Sequence, residues 1–237
     1  MDYGLTEEQQ AIIDTAREIG IKKIKPVRME YDEEEKFPWP IVEEMRKADL
    51  FGVYFHPNYG GLGGGGFELV LAVEELSRYC GGIALSLAAT ALGAFPIILY
   101  GNPDQKKKYL PDIAAGKKLA AFCITEPEAG SDATATKATA KKDGNNYILN
   151  GVKNFCSNGE AADIYTVFFS TDPKRGARGI TCFVVEKGTP GFKFGKKETK
   201  MGIRASSTYE LVFDNCKVPK ENVIYGEGRG LFVAQAT

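Results

Sequence analysis

The chain has 237 residues, of which 43% are hydrophobic, enough for a sizeable buried core and too many for a disordered protein. Its 30 basic and 31 acidic residues give a net charge of −1 at pH 7, which excludes a broad electrostatic attraction to nucleic acid or to an anionic membrane. The five cysteines form no C-x-x-C pair and the only histidine is His56, so the composition argues against a zinc site and predicts no bound metal.

The N-terminal segment has neither the basic region nor the apolar run of a secretory signal, and the scattered cysteines are typical of free thiols in a reducing compartment. We therefore expect a cytoplasmic protein. The longest apolar stretch, residues 83–100, is interrupted by serine, threonine, glycine and proline. This pattern predicts a buried helix rather than a membrane span.

Helical patterns fill the first half of the chain. Thr6 and Gln9 have the spacing of a capping box, and apolar residues at helical spacing follow as far as Ile19. Further helices are predicted at about residues 40–50, 67–79 and 83–100, and from an N-cap at Asn102 to about residue 115. The helix at 83–100 is apolar nearly all round, which predicts a position at the centre of a helix bundle.

The glycine-rich segment Gly61–Gly66 satisfies the G-x-G-x-x-G pattern of a dinucleotide-binding loop. A Rossmann unit also needs a buried strand before the loop, a strand after the helix and an acidic residue about 20 positions later, and the sequence offers none of them. The alternative is a flexible connection between helices, with backbone conformations that only glycine adopts readily.

From Leu119 onward the sequence changes to short β-rich runs separated by turn signals such as Asp143–Asn146 and Pro190-Gly191. The predicted strands are residues 120–125, 147–149, 164–170, 180–186 and 209–213. Several short strands without intervening helices predict a compact β-barrel or sandwich. After Gly230 a new helix begins, and the sequence stops at Thr237.

These patterns predict an α+β protein in which an N-terminal all-helical bundle is followed by a compact antiparallel β-barrel. The expected domains are residues 1–118 and 119–226. Residues 227–237 are expected to be the start of a further helical domain, because a helix that stops after two turns suggests that a domain is missing.

The most informative segment is Phe122–Asp132, where a short strand ends in Thr125-Glu126-Pro127 and a turn follows. Thr125 offers a hydroxyl at the strand end, and the turn exposes backbone N–H groups. Gly130 lets a flat or anionic ligand approach the backbone closely. From the residues alone, an ordinary capped turn is the favoured interpretation.

The same segment resembles the flavin-binding signature Thr-Glu-Pro-x-Ala-Gly-Ser-Asp of the acyl-CoA dehydrogenases. Other blocks are similar to the family in the same order: Tyr59–Gly63, Asn150–Gly159, Lys200–Thr208, Leu211–Asp214, Val218–Val223 and Gly226–Phe232. The first of them is similar to the family's glycine connection, which replaces the dinucleotide interpretation. The second is similar to its Asn-Gly-x-Lys-x-Trp-Ile-Thr-Asn-Gly run, and the last to the entry of its C-terminal helical domain.

The resemblance implies FAD as the cofactor, bound along Phe122, Cys123, Ile124, Thr125, Gly130, Ser131, Phe155, Cys156 and Ser157. It places Thr125 near the isoalloxazine edge, Ser157 as a hydroxyl donor, and Ser131 also near the acyl-CoA. Phe155 and Cys156 stand where the family has Trp and Ile. Phenylalanine keeps an aromatic face for packing but lacks the indole N–H.

The reaction implied by the resemblance is the FAD-dependent α,β-dehydrogenation of an acyl-CoA thioester, a step of fatty acid metabolism. In it a carboxylate removes the α-proton and the flavin accepts the β-hydride. In the family this carboxylate comes from the C-terminal helical domain, beyond Thr237. No catalytic residue is therefore assigned to this chain, and Glu126, Glu128 and Glu160 are not proposed for that role.

The resemblance further implies an acyl-CoA substrate, an electron-transferring flavoprotein as electron acceptor, and a homo-oligomer for the full-length protein, without nucleic acid or membrane. Two other functions stay open at this stage. The chain could be a non-catalytic fragment or structural module, or it could belong to a related acyl-CoA oxidase or enoyl-CoA reductase.

Overall fold

The computed structural model describes residues 4–237, so the first three residues of the expected N-terminal domain and of the segment searched for a signal lie outside the described residues. The helices are α1 (Glu7–Ile19), α2 (Arg28–Glu33), α3 (Trp39–Lys47), α4 (Gly66–Ser77), α5 (Gly81–Tyr100), α6 (Pro103–Ala114) and α7 (Gly230–Ala236). A π-helical turn, Gly20–Ile24, continues α1. The sequence patterns do not predict this turn or α2, and α2 buries none of its residues, so it has no apolar stripe to detect.

Helix starts follow the capping signals in the sequence. Thr6 Oγ1 accepts the Gln9 N–H at 3.2 Å, and Gln9 Oε1 accepts the Thr6 N–H at 3.0 Å. Asn102 caps α6 in the same reciprocal way with Gln105, and Pro103 occupies the first helical position. Both predicted N-caps are confirmed, and each satisfies backbone donors that a helix terminus otherwise leaves unpaired.

The glycine-rich segment before α4 is a connection, as the second interpretation predicted. Gly60 and Gly63 have φ angles of +83° and +86°, and a Cβ on Gly61 would lie 2.1 Å from the carbonyl oxygen of Phe55. The residues before it form a 3₁₀ turn, Pro57–Tyr59, instead of a strand. The segment therefore uses glycine for backbone conformation and close packing.

The described chain contains eight strands in one sheet: β1 (Ala120–Cys123), β2 (Thr139–Asp143), β3 (Asn146–Ser157), β4 (Ile164–Ser170), β5 (Ile180–Glu186), β6 (Phe192–Lys197), β7 (Thr208–Pro219) and β8 (Val223–Ile224). Their order is β6-β7-β3-β2-β4-β5-β8, and β1 pairs with β4. Each of the five predicted runs falls on a strand. The sequence patterns do not predict β2, β6 and β8, because β2 and β6 are rich in lysine and β8 has two residues. The predicted α+β class is confirmed.

The prediction of a compact antiparallel β-barrel is wrong. β1 runs parallel to β4, and β2 meets β4 through the parallel pair Thr139 and Ser170. Among residues 4–237, the end strands β6 and β8 each pair with one neighbour, so the sheet is mixed and open. The reason lies in the chain after β1: residues 124–138 form a long connection instead of a tight turn, so β1 is not half of a hairpin.

Helix α5 joins the helices to the sheet. It is the one helix of the described chain that is long and apolar enough to cross a membrane, and 67% of its most apolar window is buried inside the protein. A Cβ on Gly93 would lie 2.5 Å from Ala121 N, so the backbones of α5 and β1 are in contact at this point. Thr166 Oγ1 on β4 donates to Gly93 O at 3.2 Å. The central position predicted for this helix is confirmed, with the sheet as well as other helices for neighbours.

We predict that Gly93→Ala lowers the free energy of unfolding by about 1–3 kcal/mol, because the added methyl overlaps the backbone of β1. Gly66→Ala is the matched control, since Gly66 is also helical and an added Cβ there meets no atom within 4 Å. Urea unfolding measures both. Equal effects of the two substitutions would contradict the close contact between α5 and β1.

Candidate functional site

A cavity of about 190 Å³ lies between α5 and the ends of β1 and β3. Its lining residues are Ala89, Leu92, Phe122, Ile124, Thr125, Asn154, Phe155 and Ser157. The hydroxyl residues Thr125 and Ser157, which the resemblance places beside one flavin, meet here from separate segments. A larger cavity of about 620 Å³ lies beside α1 and the glycine connection, and none of the predicted site residues lines it.

Neighbouring residues of the two predicted segments differ in whether their side chains reach the cavity. Phe122 and Ile124 line it, as do Phe155 and Ser157, and the residue between each pair is buried on the other side. Cys123 and Cys156, the two residues in between, are each 1% exposed. Burial raises the pKa of the Cys123 thiol, and the neighbouring Cys156 thiol adds to that shift. Their thiols therefore pack behind the cavity wall and not on its surface.

Gly130 and Ser131 are not among the residues that line the cavity. A tight turn precedes them, in which Glu126 and Ala129 exchange backbone hydrogen bonds of 3.0 and 3.2 Å. Gly130 and Ser131 are both exposed, and a Cβ added to Gly130 would meet no atom within 4 Å. Gly130 and Ser131 therefore lie on a surface loop that follows the cavity residue Thr125 in the chain.

Three lining residues do not follow from the sequence reasoning: Ala89 and Leu92 on α5, and Asn154 on β3. The first two are hidden in a helix that is apolar on every face, so periodicity does not distinguish them. Asn154 lies inside the block Asn150–Gly159, and its buried Oδ1 accepts no hydrogen bond from the described residues. An unpaired buried acceptor at a cavity is a signal for a ligand that donates.

Phe155 is held at the cavity edge by an irregular stretch of β3. The pairing of β3 with β7 is interrupted between Lys153 and Cys156, as in a β-bulge. Phe155 has a left-handed φ of +56° and is 61% exposed. Next to it, the Asn154 N–H donates to Thr125 O at 2.7 Å, which connects the bulge to the end of β1.

Behind the cavity, Glu126 and Lys153 form an ion pair that the described protein buries completely. Their side chains are 2% and 0% exposed, and Lys153 Nζ lies 2.5 Å from Glu126 Oε1. Burial lowers the pKa of Lys153, although the adjacent carboxylate opposes that change. Glu126 comes from the segment Phe122–Asp132 and Lys153 from the block Asn150–Gly159. Their places in these two family motifs are the sequence signal that could have identified them as partners.

Asn158 fixes the end of β3. Its Nδ2 donates to Ser86 O and Thr90 Oγ1 on α5, both at 3.1 Å, and to Ala120 O on β1 at 3.3 Å. Asn158 also has a left-handed φ of +59°, a conformation that asparagine tolerates better than most residues. This side chain therefore fixes the relative positions of the three elements that surround the cavity.

The lining suits a flat aromatic group with a polar edge. Phe122 and Phe155 offer apolar surface, Thr125 and Ser157 offer hydroxyls, and Asn154 Oδ1 offers an unpaired acceptor. No aspartate or glutamate lines the cavity, so its side chains supply no carboxylate base. Across residues 4–237, no group of three or more histidine, cysteine or acidic side chains is placed to hold a metal ion.

Comparisons with known proteins match the two parts of the chain to two family models. Residues 6–117 match the N-terminal domain of acyl-CoA dehydrogenases, and residues 121–216 match their middle domain. A short-chain-specific acyl-CoA dehydrogenase of Megasphaera elsdenii is 46% identical over 242 residues, and the match takes in 100% of this chain and 63% of the relative. The chain therefore spans less than two thirds of that relative's length.

Solved structures give the same result. An acyl-CoA dehydrogenase complexed with FAD from Bacillus anthracis matches with a TM-score of 0.89 and 34% identity, over 98% of this chain and 40% of the other. A second match, with a TM-score of 0.96 and 45% identity, comes from work on the electron-transferring flavoprotein of Acidaminococcus fermentans and flavin-based electron bifurcation. That match covers 99% of this chain and 62% of the other.

We predict that Asn158→Gly lowers the free energy of unfolding by about 1–3 kcal/mol, because the buried hydrogen bonds from its Nδ2 to three acceptors are lost. Asn215→Gly is the matched control: Asn215 also has a left-handed φ, +49°, but is exposed. We expect the control to change stability by less than about 0.5 kcal/mol. Similar losses in denaturant unfolding of the two variants would contradict the role of the Asn158 side chain.

Proposed function

Because the chain belongs to the acyl-CoA dehydrogenase family, we propose that it supplies the flavin-ring side of an enzyme that dehydrogenates an acyl-CoA thioester with FAD. One observation carries this proposal. Thr125 from the flavin-signature segment Phe122–Asp132 and Ser157 from the block Asn150–Gly159 line a single cavity, together with two aromatic rings. A fragment kept only for its fold would not need these hydroxyls to converge on one concave surface.

In the proposed site, Thr125 and Ser157 hydrogen-bond to the polar edge of the flavin ring, and Asn154 Oδ1 accepts a hydrogen bond from it. Phe122 and Phe155 pack against its apolar surface. When bound, FAD supplies the acceptor for the hydride that leaves the substrate. The part of the chain described above positions this ring and excludes water from one side of it.

The other predicted site residues keep smaller roles in the proposal. The side chains of Cys123 and Cys156 point away from the cavity, so we propose contact with the cofactor through their backbone alone. Gly130 and Ser131 lie on the exposed loop, where we propose that they meet FAD and, for Ser131, the acyl-CoA as well. No catalytic residue is assigned to this chain.

We propose that residues 1–118 form a helical domain, that residues 119–226 form a domain for the flavin ring and part of the acyl-CoA, and that residues 227–237 begin a further helical domain. The carboxylate base would lie in the part of the relatives that this chain does not cover. A homo-oligomer and a cytoplasmic location belong to the same proposal. The five free cysteines support a reducing compartment.

The identity to a short-chain-specific relative supports a short acyl-CoA as the substrate, and the match from work on an electron-transferring flavoprotein supports such a protein as electron acceptor. The third prediction concerns turnover. The 237-residue chain should bind FAD weakly and should not oxidise short-chain acyl-CoA, whereas the complete product of its reading frame should do so with an artificial electron acceptor. Absorbance of bound flavin and dye reduction measure the two properties.

The same assay distinguishes the alternatives. Peroxide formation from acyl-CoA and oxygen would identify an oxidase, and NADH consumption with an enoyl-CoA would identify a reductase. Flavin-free protein without turnover from the complete reading frame would leave the non-catalytic module as the function. Turnover by the 237-residue chain alone would show that the base lies within it and would contradict the proposal.

The fourth prediction concerns the hydroxyls of Thr125 and Ser157. Thr125→Ala combined with Ser157→Ala should weaken FAD binding or slow flavin reduction by about 1–3 kcal/mol, the cost of hydrogen bonds lost in a buried site. Thr171→Ala combined with Thr189→Ala is the matched control, because these hydroxyls bond to backbone oxygens away from the cavity. Fluorescence titration with FAD and stopped-flow reduction measure the effects. Unchanged affinity and rate in the first double variant would mean that these hydroxyls only cap strand ends.

A further inference from the structure

Three segments of the chain meet at the buried carboxylate of Glu126. Its Oε2 accepts the backbone N–H groups of Lys137 at 2.7 Å and Ala138 at 3.1 Å, just before β2 begins. Its Oε1 accepts from Lys153 Nζ on β3 at 2.5 Å. Glu126 itself follows β1 and the cavity residue Thr125. One side chain therefore connects the end of β1 to the start of β2 and to the middle of β3.

The ammonium of Lys153 has its hydrogen-bond acceptors beside the same carboxylate. Besides the carboxylate, it donates to the carbonyl oxygen of Ile124 at 3.3 Å, and it lies 5.0 Å from the centroid of the Phe169 ring. An ammonium over an aromatic face gains electrostatic attraction. The ammonium of Lys153 therefore contacts the end of β1, the Glu126 carboxylate and a ring of β4.

These contacts lie close in the chain to Phe155, a cavity-lining residue with a strained backbone. Phe155 follows Lys153 by two residues and has a left-handed backbone, which costs free energy in a residue other than glycine and persists only where the surroundings enforce it. Between them, the Asn154 N–H bonds to Thr125 O at 2.7 Å. The ion pair and this hydrogen bond together hold the bulge against the end of β1.

We propose that Glu126 and Lys153 are positioning residues of the flavin site: their ion pair joins the two motifs and thereby sets the places of Thr125 and Phe155 at the cavity. This inference rests on the proposed function for its ligand. Neither side chain lines the cavity, so both act through their neighbours. A buried ion pair is a costly way to stabilise a fold, whereas its directional contacts can impose one arrangement on the strands.

The experiment compares the wild-type chain with two variants. Lys153→Met leaves the Glu126 carboxylate buried without its cation. Glu126→Gln combined with Lys153→Met removes both charges and keeps an amide oxygen for the N–H groups before β2. Met45→Ala is the control for lost stability alone, because Met45 is fully buried in α3 and lines no part of the cavity.

Three quantities are measured: the midpoint of thermal unfolding, the FAD dissociation constant, and the hydrogen exchange rate of the Asn154 amide without ligand. Lys153→Met should lower the midpoint and weaken FAD binding. The double variant should regain most of the midpoint, because no unpaired charge remains. Its FAD affinity should nevertheless stay about ten- to hundredfold below wild type, the loss expected when displaced groups no longer hydrogen-bond to the ring. Its Asn154 amide should exchange faster than in wild type, and Met45→Ala should lower the midpoint without either change.

Wild-type FAD affinity and Asn154 exchange in the double variant would overturn the proposal, because the pair would then contribute to stability alone. Weakened FAD binding in Met45→Ala to the same degree as in the double variant would overturn it as well. If the wild-type chain binds no FAD, the proposed function of the chain fails. The exchange rates of the Asn154 amide still decide whether the ion pair holds β3 against β1.

Discussion

The contact between α5 and β1 at Gly93 is the constraint on which the rest of the architecture depends. Only a residue without a side chain lets the helix backbone approach Ala121 so closely. Once α5 lies on β1, Ala89 and Leu92, four residues and one residue before Gly93, face the side of the strand that carries Phe122. The cavity is therefore a consequence of how the helical part packs on the sheet, and residues from both parts are needed to form it.

The polar groups behind the cavity show how the close packing is made specific. Apolar contacts between a helix and a sheet are tolerant of small shifts, whereas hydrogen bonds and buried charges are directional. Asn158 reaches both α5 and β1, and the Glu126–Lys153 pair reaches β1, β2 and β3. Losing one member of such a pair typically costs about 3–5 kcal/mol, because the remaining charge is buried without compensation. These side chains therefore raise the free energy of every other strand register at the site.

Sequence reasoning predicts the local parts of this structure and fails on its long-range parts. Capping by Thr6 and Asn102 depends on residues three positions apart, so the sequence states it directly. The mixed, open sheet depends on β1 pairing with β4 some 40 residues later, which no local pattern encodes. Likewise the motifs identify Thr125 and Ser157 as a pair, but only the alternation of buried and lining side chains removes Cys123 and Cys156 from the cavity surface.

The exposed apolar lining of the cavity agrees with the proposal that this chain supplies one side of the flavin site. Phe155 is 61% exposed and Leu92 is 43% exposed, although both are apolar and both line the cavity. A flat ring placed against them would remove this surface from water, at about 25 cal/mol per Å² of apolar area, while its opposite face stayed hydrated. The hydroxyls and Asn154 orient such a ring but do not cover it. Strong binding therefore requires a second surface over the ring, which agrees with a chain that spans 63% of the length of its short-chain-specific relative.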